Sequence, residues 1–176
     1  MPACAALTPA QARNRGRLPR LQPKFAARIE GPPEFIFDLI ADIPNCHRWL
    51  PGSEAFGGTR NVIPYPVQLG TRYLDGGPLG ERPGTVTEFD RPRRIAFHHT
   101  MLLKKGPLVA DIDVHVRYTL APAERATFVV RELDMAILLR GVWKLAHPLV
   151  VSGFRKENLR IMAELKRYVE SHPHHA

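Results

Sequence analysis

The chain has 176 residues, of which 44% are hydrophobic and 24% charged, so it is long enough for one domain with a core and too apolar for a disordered protein. The net charge is +8, but five of these charges lie in residues 1–24, which contain no acid and no interleaved aromatic pattern. Outside this segment the net charge is only +3, which is more typical of a solvated surface than of a phosphate-binding face, so no specific nucleic-acid partner is predicted.

Residues 1–22 are predicted to be a disordered basic extension. Their prolines and a glycine interrupt any amphipathic helix, and their arginines follow the short apolar part, which is the reverse of a secretory signal. The folded domain is predicted to span residues 23–171, followed by a short disordered tail at 172–176. Only Cys4 and Cys46 are present, without a CxxC spacing, which favours a reducing, cytoplasmic location.

No transmembrane segment is predicted. The most apolar region, residues 135–154, is interrupted by Arg140, Lys144, His147 and Pro148, so it lacks the run of about 18 uncharged apolar residues that a bilayer requires.

The predicted domain starts with a strand and two short helices. The segment "KFAARIEG" alternates apolar and polar residues like a strand. In "PPEFIFDLIADI", apolar residues recur every three or four positions after a proline that suits a first helical turn. Pro44 ends this helix, and "NCHRWLPG" allows at most one further turn.

Six strand-like segments and one long helix complete the predicted order. The segments have a period of two and are separated by short turns, which indicates an antiparallel sheet. They span residues 54–61, 67–76, 84–90, 93–105, 108–122 and 125–136. The helix is predicted over residues 141–170, with a bend near Pro148 and Gly153, and it is the only element long enough to cover the apolar face of the sheet.

This order of elements resembles that of a known family, and four sequence segments carry the resemblance: "IEGPPEFIFDLIADIPNCHRWLPG", "VQLGTRYLDG", "GTVTEFDRPRRIAF" and "NLRIMAELKRYVE". The chain resembles the SRPBCC or START-like (Bet v 1-like) superfamily over residues 23–171, particularly its polyketide cyclase/dehydrase-type branch. The resemblance implies an α+β helix-grip fold, in which a curved antiparallel sheet of about seven strands and two short helices enclose a cavity with the long C-terminal helix. Members bind lipids, sterols, polyketides or other apolar molecules, and some catalyse cyclisation or dehydration in the cavity.

Strand alternation predicts which side chains face this cavity. For three strands the inward residues are Ile95, Phe97, His99, Met101 and Leu103; Ala110, Ile112, Val114, Val116, Tyr118 and Leu120; and Val67, Leu69, Thr71 and Tyr73. His115 is then a surface residue. The strand 125–136 leaves two registers open. In one, Arg131 faces inward and awaits an anionic ligand group or a partner such as Glu88; in the other, Glu132 takes its place.

The function predicted from these residues is binding of an apolar small molecule between the sheet and the C-terminal helix, lipid-, polyketide- or aromatic-like. The predicted ligand-binding residues are Trp49, Tyr73, Phe97, His99, Met101, Val114, Val116, Tyr118, Arg131, Phe154 and Met162. The alternative is a cyclase or dehydratase in the same cavity, for which His99 is the best catalytic candidate. The competing interpretation of His99 is a wall histidine bonded to a neighbouring strand.

No metal or nucleotide cofactor is predicted. His98 and His99 are adjacent on a strand and point to opposite faces, so they cannot chelate one ion together. His172, His174 and His175 lie at the chain end, where metal binding would be incidental. The glycine-rich "GGPLGERPG" lacks the pattern of a phosphate-binding loop.

The segment "ADIPNCHRWLPG" gathers an acid, a thiol, an imidazole and an indole. Cys46 and His47 are neighbours whose side chains diverge by about 100 degrees, so they are badly placed as a nucleophile and its base. The segment is therefore predicted to be a corner of the fold, in which Trp49 belongs to the core or to the cavity entrance.

Overall fold

The computed structural model describes residues 20–78, 80–105, 108–139 and 141–172. Its strands are β1 (Arg20–Leu21), β2 (Lys24–Ile29), β3 (Gly58–Ile63), β4 (Arg72–Gly76), β5 (Arg82–Asp90), β6 (Arg94–Lys105), β7 (Leu108–Ala123) and β8 (Ala126–Leu139). Its α-helices are α1 (Pro33–Ala41) and α2 (His147–Ser171), and 3-10 helices span Ile43–Arg48 and Gly141–Ala146. None of the described helices is long and apolar enough to cross a membrane.

The strands form one antiparallel sheet in the order β1-β8-β7-β6-β5-β4-β3, with β2 also paired to β8. The α+β helix-grip architecture predicted from the sequence is confirmed. The extension is predicted to reach residue 22, but Arg20 and Leu21 already belong to the sheet, where they pair with Ala136 and Met135 of β8. The rest of the predicted extension, residues 1–19, and residues 173–176 of the predicted tail lie outside the described residues.

The long helix starts later than predicted. Gly141–Ala146 forms a 3-10 helix, and the α-helix begins at His147. Pro148 lies in the first turn of α2, where its missing N–H breaks no helical hydrogen bond. The helix type thus changes just before Pro148, whereas the α-helix continues through Gly153, the other residue near which a bend is predicted.

The predicted inward residues of β6 and β7 face the interior, and His115 lies on the outer face. One prediction for the segment 67–76 is wrong: Leu69 is 64% exposed, whereas Thr71 and Tyr73 are buried. The chain before Arg72 forms a turn, in which Gly70 has a φ of +84° and Thr71 N–H donates to the Gln68 carbonyl. Strand alternation therefore does not apply to Leu69.

The structure also selects the register of β8. Thr127, Val129, Leu133 and Met135 are buried, which places Arg131 of the same alternating set on the inner face. Glu132 lies on the outer side, where its carboxylate pairs with the Lys24 ammonium at 2.5 Å.

Only the second half of helix α2 packs tightly on the sheet. Its buried residues recur every three or four positions and are Asn158, Met162, Leu165 and Val169. In the first half, Leu149 is 76% exposed and Phe154 only partly buried. The helix therefore anchors at its C-terminal end and leaves space between its N-terminal half and the sheet.

This anchoring predicts that Leu165→Ala lowers the free energy of unfolding by about 2–5 kcal/mol, because Leu165 is fully buried. The matched control is Leu159→Ala in the same helix, where the side chain is 52% exposed and the change should stay below about 1 kcal/mol. Urea unfolding followed by circular dichroism measures both. Equal losses in the two variants would contradict this packing.

Candidate functional site

A cavity of about 880 Å³ lies between the inner face of the sheet and the first half of α2. Its size falls in the range of about 300–1,000 Å³ typical of small-molecule sites. Strands β4 to β8 supply the largest share of the lining residues, and residues 43–56, which include most of the corner segment, form one side. The predicted ligand-binding residues that line it are Trp49, Tyr73, Phe97, His99, Met101, Val114, Val116, Tyr118, Arg131 and Phe154. Met162 is instead buried in the core, 5% exposed, and is not among the lining residues.

The sequence prediction missed several polar lining residues: Thr59, Asp75, Arg82 and Asn158. Two of them could have been found by extending the alternation of inward and outward side chains along β4 and β5. Asp75 comes two residues after the inward Tyr73, and Arg82 comes two residues before the inward Gly84. Asn158 has the same helical spacing as the buried Met162 and Leu165, and this spacing is the sequence signal that could have placed it on the inner face of α2.

Five side chains of β3 to β6 form an inner polar cluster: Thr59, Tyr73, Asp75, Arg82 and His99. The Thr59 hydroxyl donates to Asp75 Oδ1 at 2.5 Å, and Arg82 Nη2 lies 4.0 Å from Asp75 Oδ2. The Tyr73 hydroxyl and His99 Nε2 are hydrogen-bonded at 3.2 Å. His99 is thus bonded to a side chain of a nearby strand, as the competing interpretation of this residue predicted.

Burial keeps the histidine of this cluster neutral. It lowers the pKa of His99 to about 3, with a further contribution from the positive charges of Arg82 and Arg131. His99 Nδ1 lies 3.9 Å from Asp75 Oδ2, but because the imidazole is uncharged this contact is not an ion pair. Burial also raises the pKa of Asp75 and holds that of Tyr73 well above its usual range.

Two buried polar atoms of the inner polar cluster, His99 Nδ1 and Arg82 Nε, have no hydrogen-bond partner among the described residues. A buried donor or acceptor without a partner costs about 1–3 kcal/mol, so such groups are uncommon outside functional sites. Both belong to residues that line the cavity, where a bound molecule or water can reach them.

A glycine makes the Tyr73–His99 bond sterically accessible. The sheet register places Gly84 of β5 between Tyr73 of β4 and His99 of β6. A Cβ atom on Gly84 would lie only 2.4 Å from Tyr73 Cζ. The phenol ring therefore crosses the sheet over Gly84 to reach the imidazole.

A second polar group surrounds Arg131 on the inner face of β8. Its Nε donates to Asn158 Oδ1 at 2.7 Å, and its Nη1 donates to the Tyr118 hydroxyl. The guanidinium carbon also lies 4.7 Å from the Tyr118 ring centroid, a cation–π distance. Among the described residues, Arg131 forms no ion pair.

The acid suggested as a partner of Arg131 lies elsewhere. Glu88 pairs with Arg94 at 3.2 Å and with Arg117 at 2.9 Å, and Arg117 belongs to the outward-facing set of β7. The alternative of a Glu88 partner is therefore wrong, and neutral hydrogen-bonding groups surround the Arg131 charge instead.

The corner segment forms part of the cavity wall, and its Cys46 thiol is not activated as a nucleophile. Trp49 is 5% exposed, and its indole N–H donates to the Leu39 carbonyl at 3.1 Å, which joins the corner to α1 while the ring lines the cavity. Burial raises the pKa of the Cys46 thiol, the opposite of what a nucleophile needs, and His47 is exposed. These contacts agree with the predicted corner.

Comparison with solved structures gives the fold its name. Protein MLL2253 from Mesorhizobium loti superposes with a TM-score of 0.64 at 13% identity, covering 88% of this chain and 100% of that chain. A START superfamily protein from Mycobacterium smegmatis has a TM-score of 0.60 at 13% identity, covering 85% of this chain and 97% of that chain. Aha1 from Colwellia psychrerythraea has a TM-score of 0.55 at 14% identity, covering 85% of this chain and 96% of that chain. The chain has the START-like fold.

The SRPBCC/START-like resemblance seen in the sequence is thus confirmed at the level of the fold. No family model matches the sequence, and no curated protein matches it either. Because identities this low carry fold and not activity, the polyketide cyclase/dehydrase branch remains a prediction.

Steric crowding at Gly84 predicts that Gly84→Ala lowers the free energy of unfolding by about 1–3 kcal/mol, because the new methyl group displaces the Tyr73 ring. Gly153→Ala is the control. Its Cβ would meet nothing within 4 Å, and within α2 the change should raise stability by up to about 1 kcal/mol. Urea unfolding measures both effects, and stabilisation by Gly84→Ala would contradict the close approach of Tyr73.

Proposed function

We propose that this START-like protein binds an apolar small molecule that carries an anionic or hydrogen-bond-accepting group. The observation that carries the proposal is a cavity of about 880 Å³ whose mainly apolar wall contains Arg131, a cation with no ion-pair partner among the described residues. The wall provides affinity, and the cation provides orientation and selectivity.

The apolar part of the wall comes from both the sheet and the helix. The lining side chains of this kind include Phe97, Met101, Leu103, Ile112, Val114, Val116 and Leu133 from the sheet and Leu149, Val150 and Phe154 from α2. Burial of apolar surface contributes roughly 25 cal/mol per Å², so a ligand enclosed here gains most of its binding free energy from contact area.

Arg131 is positioned to bind the polar end of the ligand. Tyr118 and Asn158 hold the guanidinium in place without neutralising it. A ligand carboxylate would form charge-assisted hydrogen bonds with it, which are about twice as strong as neutral ones. The inner polar cluster, with the unpartnered atoms His99 Nδ1 and Arg82 Nε, provides a second point for a ligand hydroxyl or carbonyl.

The same chemistry favours binding over the alternative of a cyclase or dehydratase. An efficient general base has a pKa near the working pH, but burial gives His99 a pKa of about 3, so at neutral pH it accepts a proton poorly. The Cys46 thiol, also in the wall, has a raised pKa and is a poor nucleophile.

The test is fluorescence titration with dansyl-undecanoic acid, followed by displacement with unlabelled fatty and aromatic acids and with their methyl esters. Arg131→Gln should weaken binding of the acids at least about tenfold, since one charge-assisted bond is worth about 1.5–3 kcal/mol. Binding of the matched methyl esters should change much less, which also shows that the variant cavity is intact.

Arg117→Gln is the control, because Arg117 is an arginine of the outer face that pairs with Glu88. It should leave both affinities unchanged. The proposal fails if the wild-type protein binds neither the probe nor any acid, and if native mass spectrometry of the purified protein detects no retained apolar molecule. Equal effects of the two arginine substitutions on acid binding would remove Arg131 from the proposed role.

A further inference from the structure

Three possible metal ligands meet on the outer face of the sheet, on the side away from the cavity. The sheet register pairs His98 of β6 directly with His115 of β7, and Asp113 lies two residues before His115 on the same face. His98 Nε2 lies 3.3 Å from Asp113 Oδ2, and His115 Nε2 lies 3.7 Å from Asp113 Oδ1. One ligand atom from each of the three residues lies within 4.8 Å of the other two.

We propose that His98, Asp113 and His115 form a binding site for a divalent transition-metal ion of the zinc type. Two imidazoles and one carboxylate are the donors that such ions accept, whereas Mg²⁺ and Ca²⁺ prefer oxygen ligands throughout. With metal–ligand distances of about 2.0–2.2 Å, a tetrahedral ion holds its ligand atoms roughly 3.3–3.6 Å apart. The distance of 3.3 Å between His98 Nε2 and Asp113 Oδ2 matches this separation, and the His115 ligand atom, which lies within 4.8 Å of the other two, has to move closer.

Coordination requires a modest movement of the two rings. The His98 and His115 imidazoles are stacked, with centroids 4.2 Å apart and an interplanar angle of 10°. Parallel rings direct their nitrogen lone pairs side by side, so the rings must tilt towards each other to share an ion. The two side chains are 33% and 49% exposed, which leaves room for this tilt.

The surrounding charges favour a cation. Asp134 of β8 is the cross-strand neighbour of His115, and Asp111 lies two residues before Asp113 on the same face. Among the described residues, the Arg20 guanidinium lies 2.6 Å from Asp134 and 3.7 Å from Asp113. Because its closer contact is with Asp134, Asp113 can turn to an ion without releasing Arg20. The carboxylates of Asp111, Asp113 and Asp134 lower the cost of bringing a dication to this surface.

An ion at this position would join β6 and β7 across the sheet. The residues paired next along these strands, His99 and Val114, face the cavity, so the metal site lies directly behind the ligand-binding wall. Three protein ligands leave at least one coordination position for water or a small anion. The metal site uses none of the cavity residues, and it does not depend on the proposed ligand.

The background protein is the full chain carrying His172→Gln, His174→Gln and His175→Gln, so that the terminal histidines cannot bind metal. Zn²⁺ is titrated into it by calorimetry, and Co²⁺ binding is followed by visible absorption. We expect one ion per chain. Each of His98→Gln, Asp113→Asn and His115→Gln in this background should weaken Zn²⁺ binding at least about tenfold, because each removes one of three ligands.

His47→Gln is the matched control, since His47 is an exposed histidine of the first 3-10 helix and is not part of the proposed metal site. It should leave Zn²⁺ affinity unchanged. Circular dichroism and an unchanged midpoint of urea unfolding verify that each variant is folded. The proposal is overturned if the background protein takes up no ion, or if uptake persists unchanged in His98→Gln and His115→Gln.

Discussion

The packing of the second half of helix α2 on the sheet is the constraint on which the cavity depends. The sheet is wider than one helix can cover, and α2 buries a stripe only from Asn158 onward. Leu165 and Val169 anchor this end, while Leu149 and Phe154 at the other end remain partly or largely exposed. The space under the first half of the helix therefore follows from an incomplete match between one helix and a broad, curved sheet.

That space contains polar groups which the fold surrounds without fully satisfying. Arg131 keeps its charge among neutral partners, and His99 is held neutral beside Asp75. Such groups reduce stability in a core, where unpaired polar atoms cost free energy. Hydrogen bonds hold these groups in place, from Arg131 to Asn158 and between Tyr73 and His99, whose contact the absence of a Cβ at Gly84 allows. For the proposed ligand, polar groups held in advance in this way would lower the entropic cost of binding.

Much of the fold and part of the site could be predicted from local patterns. The alternation in β6 and β7 identified the cavity-lining residues of these two strands, including Phe97 and Tyr118, because adjacent side chains of a strand must point to opposite faces. The same rule failed at Leu69, where a turn replaces the strand, and it was not carried far enough to include Asp75. The start of α2 at His147 depended on a 3-10 segment that periodicity does not reveal.

The sequence by itself determined which side of each long strand is apolar, and the order of elements determined the START-like fold. Only the tertiary structure decided which groups meet across strands. The pairing of His98 with His115, the contact of Arg131 with Tyr118 and Asn158, and the inward register of β8 all depend on it. The physical reason is that alternation is a property of one strand, whereas register is set by hydrogen bonds between strands far apart in the chain.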